Sequence, residues 1–285
     1  MITTLKTFFI SLLITLPAFC FAQDQLDLKV MTSNIRLAAE SDGINYWDNR
    51  RDWFGDFVRF EDVDIFGAQE VLYSQLTDIK DRLPAYEHIG VGREGENKGE
   101  FSPIFYKKDK FEVLESETFW LSPTPQKVAS KGWDAALPRI VTWAKFKDKA
   151  TGKEFYFFNT HFDHIGKEAR KQSAEIIKNK VAKVAGNQPV IVTGDFNVPP
   201  ANAPYQVLTS GSDKLEDTFK QAERKYGPFY TFNGFQLEPD MKRDRIDYIF
   251  YKGDVSIVTY QVVDGQRGKT YISDHFPIIV EAKVN

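Results

Sequence analysis

Short apolar runs rich in β-branched and aromatic residues recur along the chain and predict a fold in which strands predominate. The predicted strands cover Leu28–Ile35, Asp64–Ala68, Pro103–Lys107, Phe111–Trp120, Ile140–Lys147, Phe155–Thr160, Pro189–Thr193, Ile246–Tyr251, Val255–Val262 and Pro277–Val284. Helical spacing of apolar residues predicts helices over Val71–Leu83 and Lys167–Ala185, and a third over Tyr46–Glu61. Many strands, few helices and no Pro/Gly/Ser-rich linker predict two packed sheets with helices outside them.

The first residues have the pattern of an export signal. Met1–Ala22 contains an apolar run over Phe8–Phe21 and a small-residue exit at Cys20-Phe21-Ala22, as in a secretory signal peptide. The run is too short to span a membrane. Lipid attachment at Cys20 is disfavoured because Phe19 is a bulky neighbour. We therefore expect residues 23–285 to form a single domain, a monomer exported to the periplasm or the extracellular space, with no transmembrane segment.

Cys20 is the only cysteine, so the exported part can form no disulfide, cysteine nucleophile or Cys-zinc site. With 42% hydrophobic and 27% charged residues, the composition excludes a disordered chain. The 37 basic and 40 acidic residues leave a net charge of -3, so no basic field attracts a polyanion. The charge balance therefore does not favour duplex nucleic acid as the partner, although it does not exclude it.

Polar side chains recur where the predicted strands end. These clusters are Asn34, Gln69-Glu70, Asn159-Thr160-His161, Gly194-Asp195-Phe196-Asn197, Asp247 and Ser273-Asp274-His275. Neighbouring strand ends share an edge of a sheet, so the clusters can line one cleft. Carboxylates, carboxamides and imidazoles without thiolate suit Mg²⁺, with Mn²⁺ or Ca²⁺ as alternatives, and such a site can direct water at a phosphoester.

Each cluster taken singly also has a structural explanation. Gly194–Asn197 could be a turn, Glu70 could complement a helix dipole, and His275 could be a core histidine. Asp247 is harder to explain in this way, because an ionised group inside an apolar strand is costly unless it is paired or bound to metal. The ordered set is more specific than any member.

In this order, the clusters resemble the endonuclease/exonuclease/phosphatase superfamily, which includes deoxyribonuclease I. The likeness spans nearly the whole exported part, and segments such as Gly132-Trp133-Asp134 resemble an exported bacterial subgroup without an assigned substrate. The resemblance implies a deoxyribonuclease I-like α/β fold: a four-layered sandwich of two packed mixed β-sheets flanked by helices.

The resemblance also implies roles for the site residues. Metal ligands would be Glu70 as the principal one, with Asn34 and Asp274. Catalytic residues would be His161 at the phosphate or the leaving oxygen, Asp195 supported by Asn197, and His275 paired with Asp247. Either Asp195 or His275 could take the proton from the attacking water. Arg139 matches a family arginine that binds phosphate or is structural.

Two long segments, Arg36–Arg51 and Trp120–Arg139, carry aromatic residues that could contact the substrate, and we assign Trp47 and Trp133 to substrate binding. His164 is a further candidate near the substrate. The pair His161 and His164 does not predict zinc, because it lacks helical spacing and an evident third ligand.

These features predict an exported Mg²⁺-dependent phosphoesterase that hydrolyses a small or medium phosphodiester or phosphomonoester. One alternative is a nuclease that acts on DNA or RNA. Another is a non-catalytic module of the same fold that binds a glycan or surface ligand. The full set of acidic residues disfavours this module, because a cluster of carboxylates would be costly to keep without its cation.

Overall fold

A computed structural model describes residues 25–238, 240 and 242–285. The predicted signal peptide and Cys20 lie outside the described residues. The strands are β1 Leu26–Asn34, β2 Ile65–Gln69, β3 Tyr86–Ile89, β4 Ile104–Lys107, β5 Phe111–Trp120, β6 Ile140–Asp148, β7 Glu154–His161, β8 Val190–Asp195, β9 Glu216–Asp217, β10 Arg224–Tyr226, β11 Asp247–Lys252, β12 Val255–Val262, β13 Gln266–Arg267, β14 Thr270–Tyr271 and β15 Ile278–Val284. The helices are α1 Trp47–Glu61, α2 Tyr73–Arg82, α3 Lys167–Ala185, α4 Ala203–Thr209 and α5 Thr218–Gln221, and a 3₁₀ helix spans Glu40–Asn45.

Two mixed sheets form the centre of the fold. The seven-stranded sheet has the order β10-β12-β15-β1-β2-β4-β3, and the six-stranded sheet has the order β5-β6-β7-β8-β11-β9. β13 and β14 form a separate hairpin. The strands β1 and β2 are parallel, as are β7 and β8, and each of these pairs is connected through a helix.

Side-chain alternation in β7 shows how the layers pack. Phe155 and Phe157 belong to the core between the two sheets, whereas Tyr156 and Phe158 belong to the core that includes residues of α3. Successive side chains of a strand point to opposite faces, so an all-apolar strand is buried on both sides.

Helices cover the outer faces of both sheets. On one side Phe54 and Val58 of α1 and Ile79 of α2 pack with Met31 and Phe66 of the seven-stranded sheet. On the other side α3 and α4 cover the six-stranded sheet. The four layers confirm the predicted sandwich.

The ten predicted strands and three predicted helices are present, with ends shifted by at most two residues. The predictions missed the edge strand β3, the helix α4 and the shorter elements β9, β10, β13, β14, α5 and the 3₁₀ helix. In β3 the polar Glu87 and His88 interrupt the apolar run, and α4 has too few turns to show helical periodicity. Within the described residues, no helix has the length and apolar composition needed to cross a membrane.

Candidate active site

Strand register in the six-stranded sheet aligns three of the predicted residues. His161 at the end of β7 pairs with Asp195 at the end of β8, and Asp195 pairs across the antiparallel ladder with Asp247 at the start of β11. All three are buried. Directly paired residues have Cβ atoms about 5 Å apart, so the backbone alone brings an imidazole and two carboxylates together.

Asn34 connects this group to the other sheet. It pairs with Gln69 at the ends of β1 and β2, next to Glu70. Its side-chain amide nitrogen donates to Glu70 Oε1 at 3.0 Å and to Asp195 Oδ2 at 3.0 Å, and its oxygen accepts from the Arg36 backbone N–H at 3.0 Å. The structure therefore places Asn34 as a bridge between the two carboxylates.

The segment before β15 supplies the remaining carboxylate and imidazole. Ser273 Oγ donates to the Asn34 carbonyl at 2.6 Å and anchors the segment to β1. His275 Nδ1 lies 2.8 Å from Asp247 Oδ2, and its Nε2 lies 3.8 Å from Asp195 Oδ2. His275 therefore lies between the two aspartates.

A turn after β8 positions the second imidazole. The Asn197 backbone N–H donates to Asp195 Oδ1 at 2.9 Å, while Asn197 Nδ2 donates to the Phe162 carbonyl at 3.1 Å and lies 3.1 Å from His161 Nε2. The Phe162 carbonyl can only accept, which identifies the amide nitrogen of Asn197. His161 Nε2 also lies 3.4 Å from Asp195 Oδ2, whereas His161 Nδ1 is buried without a hydrogen-bond partner among the described residues.

Burial and neighbouring charges set the protonation of these groups. Burial and the adjacent Asp247 raise the pKa of Asp195 to about 7. Burial alone would lower the pKa of His275, but the carboxylates of Asp247 and Asp195 raise it well above its ordinary value. Burial, with the positive charges of Arg139 and His275, lowers the pKa of His161 well below its ordinary value. At neutral pH His275 is therefore cationic and His161 neutral.

The donor set suits a divalent cation. Burial and the nearby Glu70 raise the pKa of Asp274, and Asp247 Oδ1 is buried without a hydrogen-bond partner among the described residues. Asp274 therefore lies beside a second carboxylate, and Asp247 keeps one oxygen that could accept a ligand. Side-chain atoms of Asp195, Asp247 and His275 lie within 4.8 Å of one another and could hold an ion, while Glu70 and Asp274 offer oxygen ligands at the cleft.

These groups lie in a cleft of about 400 Å³. Its lining residues are Arg36, Leu37, Glu70, Glu100, Leu137, Arg139, His161, His164, Asp195, Asn197, Phe232, Asp274 and His275. Asn34 and Asp247 are buried behind this wall and do not line the cleft. The predicted residues Arg139 and His164 do line it, with Arg139 Nη2 3.1 Å from His164 Nδ1.

Sequence reasoning identified Arg139 but missed its neighbours Arg93 and Glu100. Arg93 Nη2 lies 2.7 Å from Glu100 Oε1, and Arg139 Nη1 lies 4.0 Å from Glu100 Oε2. Burial raises the pKa of Glu100. Arg93 and Glu100 lie on the connection between β3 and β4 and not at a strand end, so the strand-end pattern could not identify them. Phe232 lies on an irregular segment, so the strand-end pattern in the sequence could not identify it either.

The structure contradicts one prediction about the substrate loops. Trp47 begins α1 and is 2% exposed, with its indole N–H bonded to Asp78 at 2.9 Å, so it belongs to the core. Trp133 is 41% exposed and is not among the residues that line the cleft, so its assignment to substrate binding stays a prediction. Trp47 follows the 3₁₀ helix, and α1, which begins there, turns its indole inward toward Phe54. The position of Trp47 on a long segment was therefore a poor guide to the substrate side.

Known proteins of one family share the sequence and the fold of this chain. A profile of the Endonuclease/Exonuclease/phosphatase family matches residues 31–275. The solved endonuclease/exonuclease/phosphatase from Bacteroides vulgatus is 43% identical with a TM-score of 0.89, over 91% of this chain and 100% of that chain. The mannosyl-6-phosphatase from Bacteroides thetaiotaomicron is 41% identical with a TM-score of 0.83, over 90% of this chain and 99% of that chain. The uncharacterised protein L388 of Acanthamoeba polyphaga mimivirus is 25% identical over 273 residues, 89% of this chain and 99% of that protein.

Proposed function

Because this chain belongs to the endonuclease/exonuclease/phosphatase family, whose members are metal-dependent hydrolases of phosphoester bonds, we propose that it is an exported Mg²⁺-dependent phosphomonoesterase acting on a sugar phosphate. The observation that carries this proposal is the cleft of about 400 Å³, which is lined by Glu100 and the buried Arg139, with the buried Arg93 beside them. The 41% identity with a mannosyl-6-phosphatase supports the same substrate class.

The size of the cleft and the net charge of the chain favour a small ligand. A volume of about 400 Å³ is within the range of small-molecule sites. Leu37, Leu137 and Phe232 give one part of its wall an apolar character that suits the C–H face of a sugar ring. A duplex would require many phosphate contacts along a basic face, and a chain with a net charge of -3 has no excess of cations to supply them.

Asp195 is the better candidate for the base. Its pKa of about 7 places it between its two protonation states at neutral pH, which is the condition for general base catalysis. His275 already carries a proton under these conditions and is held by Asp247, so it is suited to donate a hydrogen bond to a phosphoryl oxygen. Asn34 and Asn197 donate hydrogen bonds to Asp195 and fix its orientation.

Glu70 and Asp274 would hold the metal ion. In the alternative set of Asp195, Asp247 and His275, an ion at the centre would have to break the 2.8 Å contact of His275 with Asp247. When bound, a hard divalent cation neutralises charge that develops on the phosphoryl oxygens. Oxygen ligands favour Mg²⁺ over zinc.

Hydrolysis of four substrates by the purified protein tests this function. We expect phosphate release from mannose 6-phosphate and p-nitrophenyl phosphate to exceed turnover of bis-p-nitrophenyl phosphate and of a single-stranded oligonucleotide. We also expect EDTA to abolish the reaction and Mg²⁺ to restore it. Faster turnover of the diester or the oligonucleotide would instead establish a diesterase or nuclease, and turnover of none would leave a binding module.

Export is part of the proposal and rests on the apolar segment before Gln23. Mass spectrometry of the protein recovered from the non-cytoplasmic fraction of its producing cell should show an N-terminus at Gln23. Recovery of the uncleaved chain from the cytoplasm would contradict export without affecting the activity assay.

A further inference from the structure

Arg36 is held in an unusual backbone conformation at the edge of the cleft. It is the second residue after β1 and has a φ of 59°. This value lies in the left-handed region that few non-glycine residues adopt. Its N–H donates to Asn34 Oδ1 at 3.0 Å, and its carbonyl accepts from Gln75 Nε2 at 2.9 Å. These contacts fix the direction in which the side chain leaves the backbone.

The guanidinium of Arg36 faces three carboxylates at two different distances. It binds Asp42 through two parallel contacts, Nε to Oδ2 at 2.9 Å and Nη2 to Oδ1 at 3.0 Å. The same group lies 3.9 Å from Glu70 Oε2 and 3.9 Å from Asp274 Oδ2, beyond hydrogen-bond distance. Asp42 therefore sets the position of the guanidinium, and the two cleft carboxylates do not.

Asp42 lies on an anchored turn and not on a free loop. It belongs to the 3₁₀ helix Glu40–Asn45, and its N–H donates to the Ala39 carbonyl at 3.0 Å. The fully buried Arg50 donates through Nε to the Asn45 carbonyl at 2.6 Å, which ties the end of the turn to α1. Asp42 can thus hold Arg36 against the pull of Glu70 and Asp274.

We propose that Asp42 is a positioning residue that restrains Arg36 so that Glu70 and Asp274 stay open to the metal ion, and that Arg36 is a second cation that binds the phosphoryl group in the same cleft. The inference rests on the proposed function, because it takes Glu70 and Asp274 as the metal ligands. A guanidinium and a divalent ion compete for the same carboxylates, so a contact that draws the guanidinium away favours the ion. Arginine also matches the geometry of phosphate oxygens.

Isothermal titration of the apo protein with Mn²⁺, without substrate, tests the role of Asp42. In Asp42→Asn the weakened contact lets Arg36 move onto Glu70 and Asp274, and we expect Mn²⁺ affinity to fall about tenfold, the equivalent of about 1.4 kcal/mol. Arg36→Gln removes the competitor, and we expect it to bind Mn²⁺ at least as tightly as the unmodified protein. In the double variant the loss caused by Asp42→Asn should disappear.

A loss of the same size with and without Arg36 would mean that Asp42 acts independently of the guanidinium, and would overturn the proposal. Unchanged affinity in Asp42→Asn would overturn it too. Arg51→Gln is the matched control, since it removes a surface cation that contacts Asp48 and Asp78 and does not line the cleft. Its affinity should equal that of the unmodified protein.

Inhibition by inorganic phosphate at saturating Mg²⁺ tests the role of Arg36. We expect the inhibition constant to rise about tenfold in Arg36→Gln, in line with the loss of one charge-assisted contact, and to stay unchanged in Arg51→Gln. An equal constant in both variants would refute the contact with phosphate. If the unmodified protein bound no metal and hydrolysed no phosphoester, the proposed function itself would fail; variants that behave like an active unmodified protein would defeat only this inference.

Discussion

Asn159 provides a quantitative test of how the two sheets are held together beneath the cleft. Its Nδ2 donates to the carbonyls of Ala68 at 2.8 Å and Pro103 at 2.9 Å, and its Oδ1 accepts from Gln69 Nε2 at 2.7 Å and Thr193 Oγ1 at 3.1 Å. The side chain of this β7 residue thus uses all of its hydrogen-bonding capacity across the interior. It contacts residues that directly precede Glu70 and lie close to Asp195, so it supports both halves of the site.

Gly67 of β2 makes this contact possible. A Cβ atom at Gly67 would collide with Asn159 Oδ1 and Thr193 Oγ1, so the two sheets meet here through backbone and polar side chains. A larger residue at this position would force the sheets apart.

The cost of Asn159→Ala follows from these four contacts. Each net hydrogen bond contributes about 1 kcal/mol. Three of the partners keep a second contact, since Gln69 also donates to Thr32, Thr193 donates to the Phe158 carbonyl, and the Pro103 carbonyl accepts from the Ala68 N–H. The substitution also leaves a small cavity, so we expect the free energy of unfolding to fall by about 3–5 kcal/mol.

Thr160→Val is the matched control. Thr160 is also fully buried in β7, but its hydroxyl makes one hydrogen bond, to the Ile140 carbonyl at 2.9 Å. Its replacement should cost about 1 kcal/mol. Urea denaturation followed by circular dichroism measures both. If Asn159→Ala cost no more than Thr160→Val, the network would not hold the sheets together and the reasoning would be refuted.

Three further results are expected. Glu70→Gln and His275→Ala should each lower kcat/KM for p-nitrophenyl phosphate at least about a hundredfold with unchanged circular dichroism, whereas retention of most activity in either variant would contradict its assignment. Mg²⁺ should raise the melting temperature of the unmodified protein, because a ligand that binds only the native state stabilises it, and Glu70→Gln should lose most of that rise in a thermal-shift assay. Burial would raise the pKa of Asp163, but backbone N–H groups including those of Gly166, Ile165 and Leu137 lower it to about 2. Because the pKa of an unfolded aspartate is near 3.9, the stability difference between the unmodified protein and Asp163→Asn should be full above about pH 4 and vanish as the pH falls toward about 2. A stability difference that does not change with pH in urea denaturation would contradict this.

The elements of the fold could be predicted because their signals are local. Lys167–Ala185 and Phe111–Trp120 end where the apolar pattern ends, since helix and strand periods depend on residues only a few positions apart. The strand-end position of Asn34, Asp195 and Asp247 was also visible in the sequence.

The register of the sheets, by contrast, depends on tertiary structure. Asp195 faces Asp247 because β8 and β11 pair in one register, and a shift by one residue would have turned the carboxylates to opposite faces. Asn34 reaches Asp195 only because the two sheets pack face to face. These contacts join residues more than fifty positions apart, and no spacing in the sequence records them.

The sequence by itself determined the strands, the helices and the inventory of carboxylates, carboxamides and imidazoles at strand ends, because these follow from short-range periodicity and residue chemistry. Tertiary structure alone decided that Trp47 is buried, that Glu100 faces Arg93 and Arg139, and that Arg36 bends toward Asp42. The physical reason is that burial and charge pairing depend on which distant surfaces meet when the layers close, and similar loop sequences can be buried or exposed according to the neighbour they encounter.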